Sequence, residues 1–192
     1  MKKKIFFVVT LLIFFAFVFV VTGKYYQQYI GMPRMFTMRF MNSIEDPTHL
    51  RYLNKKSLFE KKLINVNTGD TVNFEEYKDK SVFINYWFTS CAACIEEFSD
   101  IEEFYKKKGT IFPFFIISHE SPEKVNAFLK KKKYQLPFFC LVDRTFPADI
   151  QNTCPMSYFF LNGTPIFRYV GRGYYDSNQF YNFLDAKIVA QK

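Results

Sequence analysis

The sequence predicts an α/β domain: a central mixed sheet flanked by helices, opened by an N-terminal hairpin and preceded by a single transmembrane helix. Three observations carry that expectation. An uncharged run extends from Ile5 to Gly23, a β-branched and aromatic run spans Ser81 to Phe88, and a helical pattern begins at two cysteines directly after it. The 192 residues suffice for one domain of ordinary size plus an extension. With 49% hydrophobic, 21% aromatic and 23% charged residues the chain is globular, which excludes disordered and collagen-like classes.

The N-terminal segment IFFVVTLLIFFAFVFVVTG follows Lys2, Lys3 and Lys4. As a helix its 19 residues span roughly 28 Å, close to the hydrocarbon thickness of a bilayer. The lysines favour a cytoplasmic N-terminus, so residues 1–23 are expected to be a basic tip and anchor in the cytoplasmic membrane, with the rest extracytoplasmic or periplasmic. Tyr25, Tyr26 and Tyr29 follow at interface depth. A cleaved signal peptide is the competing reading, since Val21-Thr22-Gly23 offers small residues, although the apolar run is long and lacks Ala-x-Ala. Either way the domain works where disulfides persist.

Without the three leading lysines the basic balance falls to 23 against 18. Lys106–Lys108 and Lys130–Lys133 read as solvated helix ends favoured by the helix dipole, and no nucleic-acid-binding signature accompanies them. Residues 24–60 read as a membrane-proximal connector. Met32, Met35, Met38 and Met41 recur there every third residue, and thioethers are soft ligands for Cu(I). The competing reading is a partly helical segment that uses Met as adaptable packing.

The domain proper is placed at 61–192. Leu63–Val66 and Thr71–Phe74 flank the turn cluster Asn67-Thr68-Gly69-Asp70 and predict a hairpin. Ser81–Phe88 reads as a strand buried on both faces. Next come Cys91-Ala92-Ala93-Cys94 and apolar residues at 95, 98, 101 and 104 or 105, the pattern of a helix that starts at the cysteines. Unpaired N–H groups and the dipole at such a terminus stabilise a thiolate, so Cys91 is the expected nucleophile. Cys94 then resolves the mixed disulfide. A zinc site is disfavoured because neither Cys140 nor Cys154 belongs to a second C-x-x-C and His49 and His119 lack ligand spacing; a structural disulfide is the other alternative.

The stretch Leu63–Glu97, with Gly69, Asn85, Trp87, Cys91, Cys94 and Glu97, resembles the membrane-anchored thioredoxin-like thiol-disulfide oxidoreductases of the TlpA/ResA type. The likeness continues through strands at 110–117 and 138–142, a helix at 122–133, the Thr153-Cys154-Pro155 segment, an Asn162-Gly163 hairpin and a closing helix at 177–190. The resemblance implies a thioredoxin-like fold and dithiol-disulfide exchange with protein substrates. It implies electrons from a membrane thiol-disulfide carrier and no cofactor beyond the redox-active Cys91–Cys94 pair; the charge distribution already argues against nucleic acid as a partner. It also implies a cis Pro155 facing the C-x-x-C and a substrate surface including Trp87, Cys154 and Pro155. Ser90 and Ala92-Ala93 depart from the Trp and prolines frequent in that family, which leaves the direction of electron flow open, with reduction preferred.

Two site residues carry alternatives. Cys154 reads as a third redox thiol, as half of a Cys140–Cys154 bridge, or as a buried free thiol like Cys140. Glu97 reads either as a proton carrier for the thiols or as a solvated member of an acidic set at the front of the helix. The rival functions are a peroxiredoxin-like peroxidase, which lacks the expected Pro near Cys91, and a non-enzymatic copper or cytochrome assembly module.

Overall fold

The computed structural model describes residues 32–45, 50, 53–150 and 153–190. The predicted anchor, signal-peptide boundary and interfacial tyrosines lie outside them. Among the described residues no helix is long and apolar enough to cross a membrane.

The chain divides into two units, Met1–Arg39 and Phe40–Lys192. The described part of the first is the opening of helix α1 (Met32–Glu45), where Met35 and Met38 are exposed. In the second unit Phe40, Met41 and Ile44 are buried. A three-residue step on a helix advances about 300°, so successive methionines drift around it. The second unit begins at Phe40. Leu58 and Phe59 of α2 (Lys55–Phe59) are buried too, because amphipathic turns in the connector supply core side chains.

The remaining elements are β1 (Lys62–Asn65), β2 (Thr71–Asn73), β3 (Val82–Trp87), α3 (Ala92–Lys108), β4 (Phe114–Ser118), α4 (Pro122–Leu129), β5 (Phe138–Leu141), β6 (Met156–Leu161), β7 (Thr164–Val170) and α5 (Asn178–Ala190). The seven strands form one mixed sheet in the order β2-β1-β5-β4-β3-β6-β7. β3 runs parallel to β4 and antiparallel to β6, so the strand before the cysteines lies near the middle, buried along its whole length. The predicted hairpin forms as β1 and β2, with Gly69 at φ +80° in the turn, where a side chain would be strained.

Period-two alternation divides β3 between two cores. Phe83 and Trp87 face α3 and α5, joining Phe98, Ile101, Phe104, Phe180 and Leu184; Val82, Ile84 and Tyr86 face the opposite layer with Phe59, Phe74 and Phe160. Rings fill much of this space, and Phe83 alone has Phe104, Phe114 and Tyr175 around it with centroids 5.1–5.3 Å away. The Lys106–Lys108 run occupies the last turn of α3, as the dipole argument expects, and each lysine there pairs with an acid: Glu103, Asp176 or Asp185.

Candidate active site

The site forms where β3 leaves the middle of the sheet. A turn closed by the Cys91 N–H donating to the Phe88 carbonyl (3.0 Å) carries the chain into α3. Cys91 is the N-cap of that helix, and its sulfur accepts the backbone N–H of Cys94 at 3.2 Å. The two cysteines are joined by a disulfide, with Cα atoms 5.3 Å apart. Cys91 retains slight exposure while Cys94 has none, an asymmetry that suits attack by the first and resolution by the second.

The turn is pinned from the next strand. Glu120, just beyond β4, accepts both the Thr89 backbone N–H (2.6 Å) and the Thr89 hydroxyl (3.0 Å), and it pairs with Lys124. Burial pushes the Glu120 carboxyl upward, but Lys124 and the Thr89 donors outweigh it and hold the group below its ordinary value. Thr89 and Glu120 carry no motif of their own, and their 31-residue separation hides the contact from sequence reasoning.

One helical turn past Cys94 lies Glu97. It is wholly buried, so it is not part of a solvated acidic face. Its two oxygens each take one donor: Asn85 Nδ2 at 2.7 Å to Oε1 and the Gly173 N–H at 2.7 Å to Oε2. Asn85 also donates to Ser157 Oγ at 2.9 Å. Burial is the dominant influence and lifts the Glu97 carboxyl from about 4.5 to about 8, with the Gly173 and Asn85 donors and the Arg172 charge opposing it and Asp100 adding to it. A carboxyl held there exchanges protons readily with a thiol, whose ordinary value is about 8.5. Ser157 and Gly173 were not foreseen. A signal existed for Asn85 in its position inside an otherwise apolar buried strand, where an amide needs partners; none existed for Gly173, 76 residues from Glu97.

The Cys154–Pro155 peptide bond is cis, as the resemblance implied. Cys154 is half-buried and packs against the core cluster that contains Cys91 and Cys94. Burial, with a smaller contribution from Glu97, pushes its thiol up to about 12. Cys140 is wholly buried, and burial also raises its thiol to about 12. Both cysteines are free, so the Cys140–Cys154 bridge does not form. The sheet order explains why: β5 and β6 are three strands apart, on the order of 14 Å, beyond the reach of a disulfide.

Trp87 departs from expectation. Its ring is fully buried, set against Phe98, Phe128 and Phe138 with centroids 5.0–5.4 Å away. Odd-numbered positions of β3 face the helices, so Trp87 packs the floor under α3 and has no surface to offer a substrate. Among the described residues no group of His, Cys, Asp and Glu side chains is arranged to hold a metal ion.

Solved structures with this architecture include the thioredoxin domain of a thiol-disulfide oxidoreductase from Bacteroides vulgatus, at 16% identity over 66% of this chain and 91% of that one, with a TM-score of 0.52. A thioredoxin-related protein from Neisseria meningitidis serogroup B aligns at 16% identity over 68% and 99% of the two chains, with a TM-score of 0.52. A secreted Mycobacterium tuberculosis disulfide oxidoreductase, homologous to E. coli DsbE, aligns at 12% identity over 72% and 99%, with a TM-score of 0.50. These likenesses establish the thioredoxin-like fold. No curated protein matches the chain. The family profile named Redoxin matches residues 58–157, just over half of the sequence, from α2 through the C-x-x-C to the cis-proline, and the chain therefore belongs to the Redoxin family of thioredoxin-like oxidoreductases.

Proposed function

We propose that the chain is an extracytoplasmic, membrane-anchored thiol-disulfide oxidoreductase that acts as a protein disulfide reductase through Cys91 and Cys94. The observation that carries this reading is the Cys91–Cys94 disulfide at the N-terminus of α3, with Cys91 slightly exposed, Cys94 wholly buried and the buried Glu97 one helical turn further on. The apolar run at residues 5–23 and the lysines before it support anchoring and export. The Mycobacterium tuberculosis neighbour described as secreted fits the same compartment.

In the reduced protein the Cys91 thiolate attacks a substrate disulfide. A Cys91–substrate disulfide forms and one substrate thiolate leaves. Cys94 gives up its proton and attacks Cys91 Sγ, closing the Cys91–Cys94 bond and releasing the second substrate thiolate. Glu97, in its ionised form, receives the Cys94 proton, so no charge accumulates in the core. The backbone beside cis-Pro155 and the Cys154 edge offer an extended substrate segment a place to pair. A membrane dithiol carrier returns two electrons to Cys91–Cys94. Cytochrome c maturation and general disulfide repair are both tasks of this kind.

The test is reduction of a model protein disulfide by prereduced protein, together with the reduction potential of the pair. A potential near that of thioredoxin, about −270 mV, is expected, and one near −120 mV would overturn the reductase direction. Cys91→Ser is expected to abolish exchange, and Cys94→Ala to leave substrate trapped on Cys91. Consumption of hydrogen peroxide without a dithiol partner would favour a peroxidase instead.

A further inference from the structure

The hydrogen bonds around Glu97 satisfy one protonation state and not the other. As the structure stands, Glu97 Oε1 and Oε2 each accept an N–H, from Asn85 and Gly173, which is the arrangement an ionised carboxylate needs. A protonated Glu97 carries an O–H that needs an acceptor instead. The neighbour of Oε1 holds one out of use, because the Asn85 carbonyl oxygen Oδ1 is buried with no partner. The amide's two ends are nearly equal in size, so turning it over places Oδ1 where Nδ2 now stands, 2.7 Å from Oε1 and 2.9 Å from Ser157 Oγ. Ser157 suits both orientations, since a hydroxyl accepts from Nδ2 and donates to Oδ1.

We propose that Asn85 is a reversible amide relay that presents Nδ2 to ionised Glu97 and Oδ1 to protonated Glu97, with Ser157 changing from acceptor to donor in step. Asn85 is then a positioning residue that acts through Glu97 and keeps its carboxyl in one place through the proton cycle. The orphaned end of the amide is what permits this. An amide paired at both ends would be locked, whereas here each orientation leaves one end unpaired and the proton on Glu97 tips the balance. The charged and titratable groups around Glu97 are Asp100 on its own helix, Arg172 and Tyr175 on the segment after β7, and Cys154 beside Pro155. None of these is hydrogen-bonded to Glu97 itself, and Tyr175 borders the Ser157 hydroxyl that turns with the amide.

This inference rests on the reading of Glu97 as the proton carrier for Cys94, and the test separates the two. In the oxidised full-length protein, the Asn85 side-chain amide is assigned through the Ile84–Asn85 peptide by paired carbonyl and amide isotope labelling, then followed by NMR through the titration of Glu97. The Nδ2 protons are expected to lose their hydrogen-bonded shift as Glu97 gains its proton, with the same midpoint as the Glu97 carboxyl carbon. In Glu97→Gln the response should vanish. An Asn85 signal that keeps one shift throughout, or moves with another midpoint, overturns the relay whatever Glu97→Gln does to exchange. An Asn85 signal that turns with Glu97, while Glu97→Gln leaves the pH–rate profile of exchange unchanged, supports the relay and removes only the catalytic part assigned to Glu97.

Discussion

Replacing Glu97 with Gln should flatten part of the pH dependence of stability, and the size of the effect follows from the site. The unfolded chain holds this carboxyl near its ordinary value of about 4.5, while in the fold burial raises it to about 8. The folded state therefore binds the Glu97 proton more tightly, so stability is fullest below about 4.5 and falls as pH rises toward about 8. Each pH unit inside that window costs about 1.4 kcal/mol, and the full displacement amounts to about 5 kcal/mol. Glu97→Gln keeps the shape, removes the titration, and places an acceptor on the Gly173 N–H and a donor on the turned Asn85 amide. Denaturant unfolding of both proteins with the disulfide intact measures the difference. The stability of wild type relative to Glu97→Gln should fall by roughly 3–4 kcal/mol between about pH 5 and pH 8. Asp100, also raised chiefly by burial, contributes in the same direction but is common to both proteins and cancels. Parallel curves for the two proteins over that range would refute the argument.

Further outcomes follow from the thiols, the core and the turn. Brief alkylation of the reduced protein near neutral pH should label Cys91 first and leave Cys140 and Cys154, both pushed up to about 12 by burial, for denaturing conditions; mass mapping that finds Cys154 labelled first would contradict the assignment. Trp87→Ala should cost about 3–5 kcal/mol in unfolding because it empties a buried, ring-lined site, whereas a mere surface contact would cost under about 0.5 kcal/mol. Glu120→Ala releases both polar groups of Thr89 and should lose about 1.5–3 kcal/mol of charge-assisted bonding. Its exchange rate, measured with the same model disulfide, should drop several-fold as the Cys91 turn loosens, and an unchanged rate would show that Phe88–Cys91 holds itself.

The strands and the cysteine pair were legible because each rests on local pattern. An apolar run bounded by Lys80 and Thr89 is a strand whatever else the chain does, and Cys91–Cys94 before IEEFSDIEEF begins a helix on periodicity alone. What escaped depends on which face of an element meets which distant segment. The family resemblance put Trp87 in the substrate surface, yet the pleat of β3 turns it into the helix-facing core. Glu97 sits among five acidic residues that look interchangeable in sequence, and only its place on the inner face of α3 separates it from exposed Glu96. The Gly173 bond that completes its coordination requires the segment after β7 to close over α3. No local pattern encodes that closure.

All four cysteines meet one core cluster, Cys91, Cys94 and Cys140 within it and Cys154 against it, and this raises the question of why electrons should stay on two of them. Protonation supplies the sorting. A thiol–disulfide exchange needs a thiolate, and Cys154, its thiol raised chiefly by burial and further by Glu97, offers almost none near neutral pH. Cys91 has the opposite surroundings: the helix N-terminus with the Cys94 N–H directed at its sulfur, and slight access to solvent. On the proposed mechanism the same carboxyl acts twice. Ionised, it disfavours a competing thiolate at Cys154 and is ready to accept the proton of Cys94. Protonated, after Cys94 has closed the disulfide, it leaves the buried cluster neutral while the substrate thiols depart. Replacing Cys154 with Ser should on this reasoning leave the Cys91–Cys94 exchange rate within about twofold, a shift of under about 0.5 kcal/mol in barrier, whereas a large loss would show that Cys154 carries electrons after all.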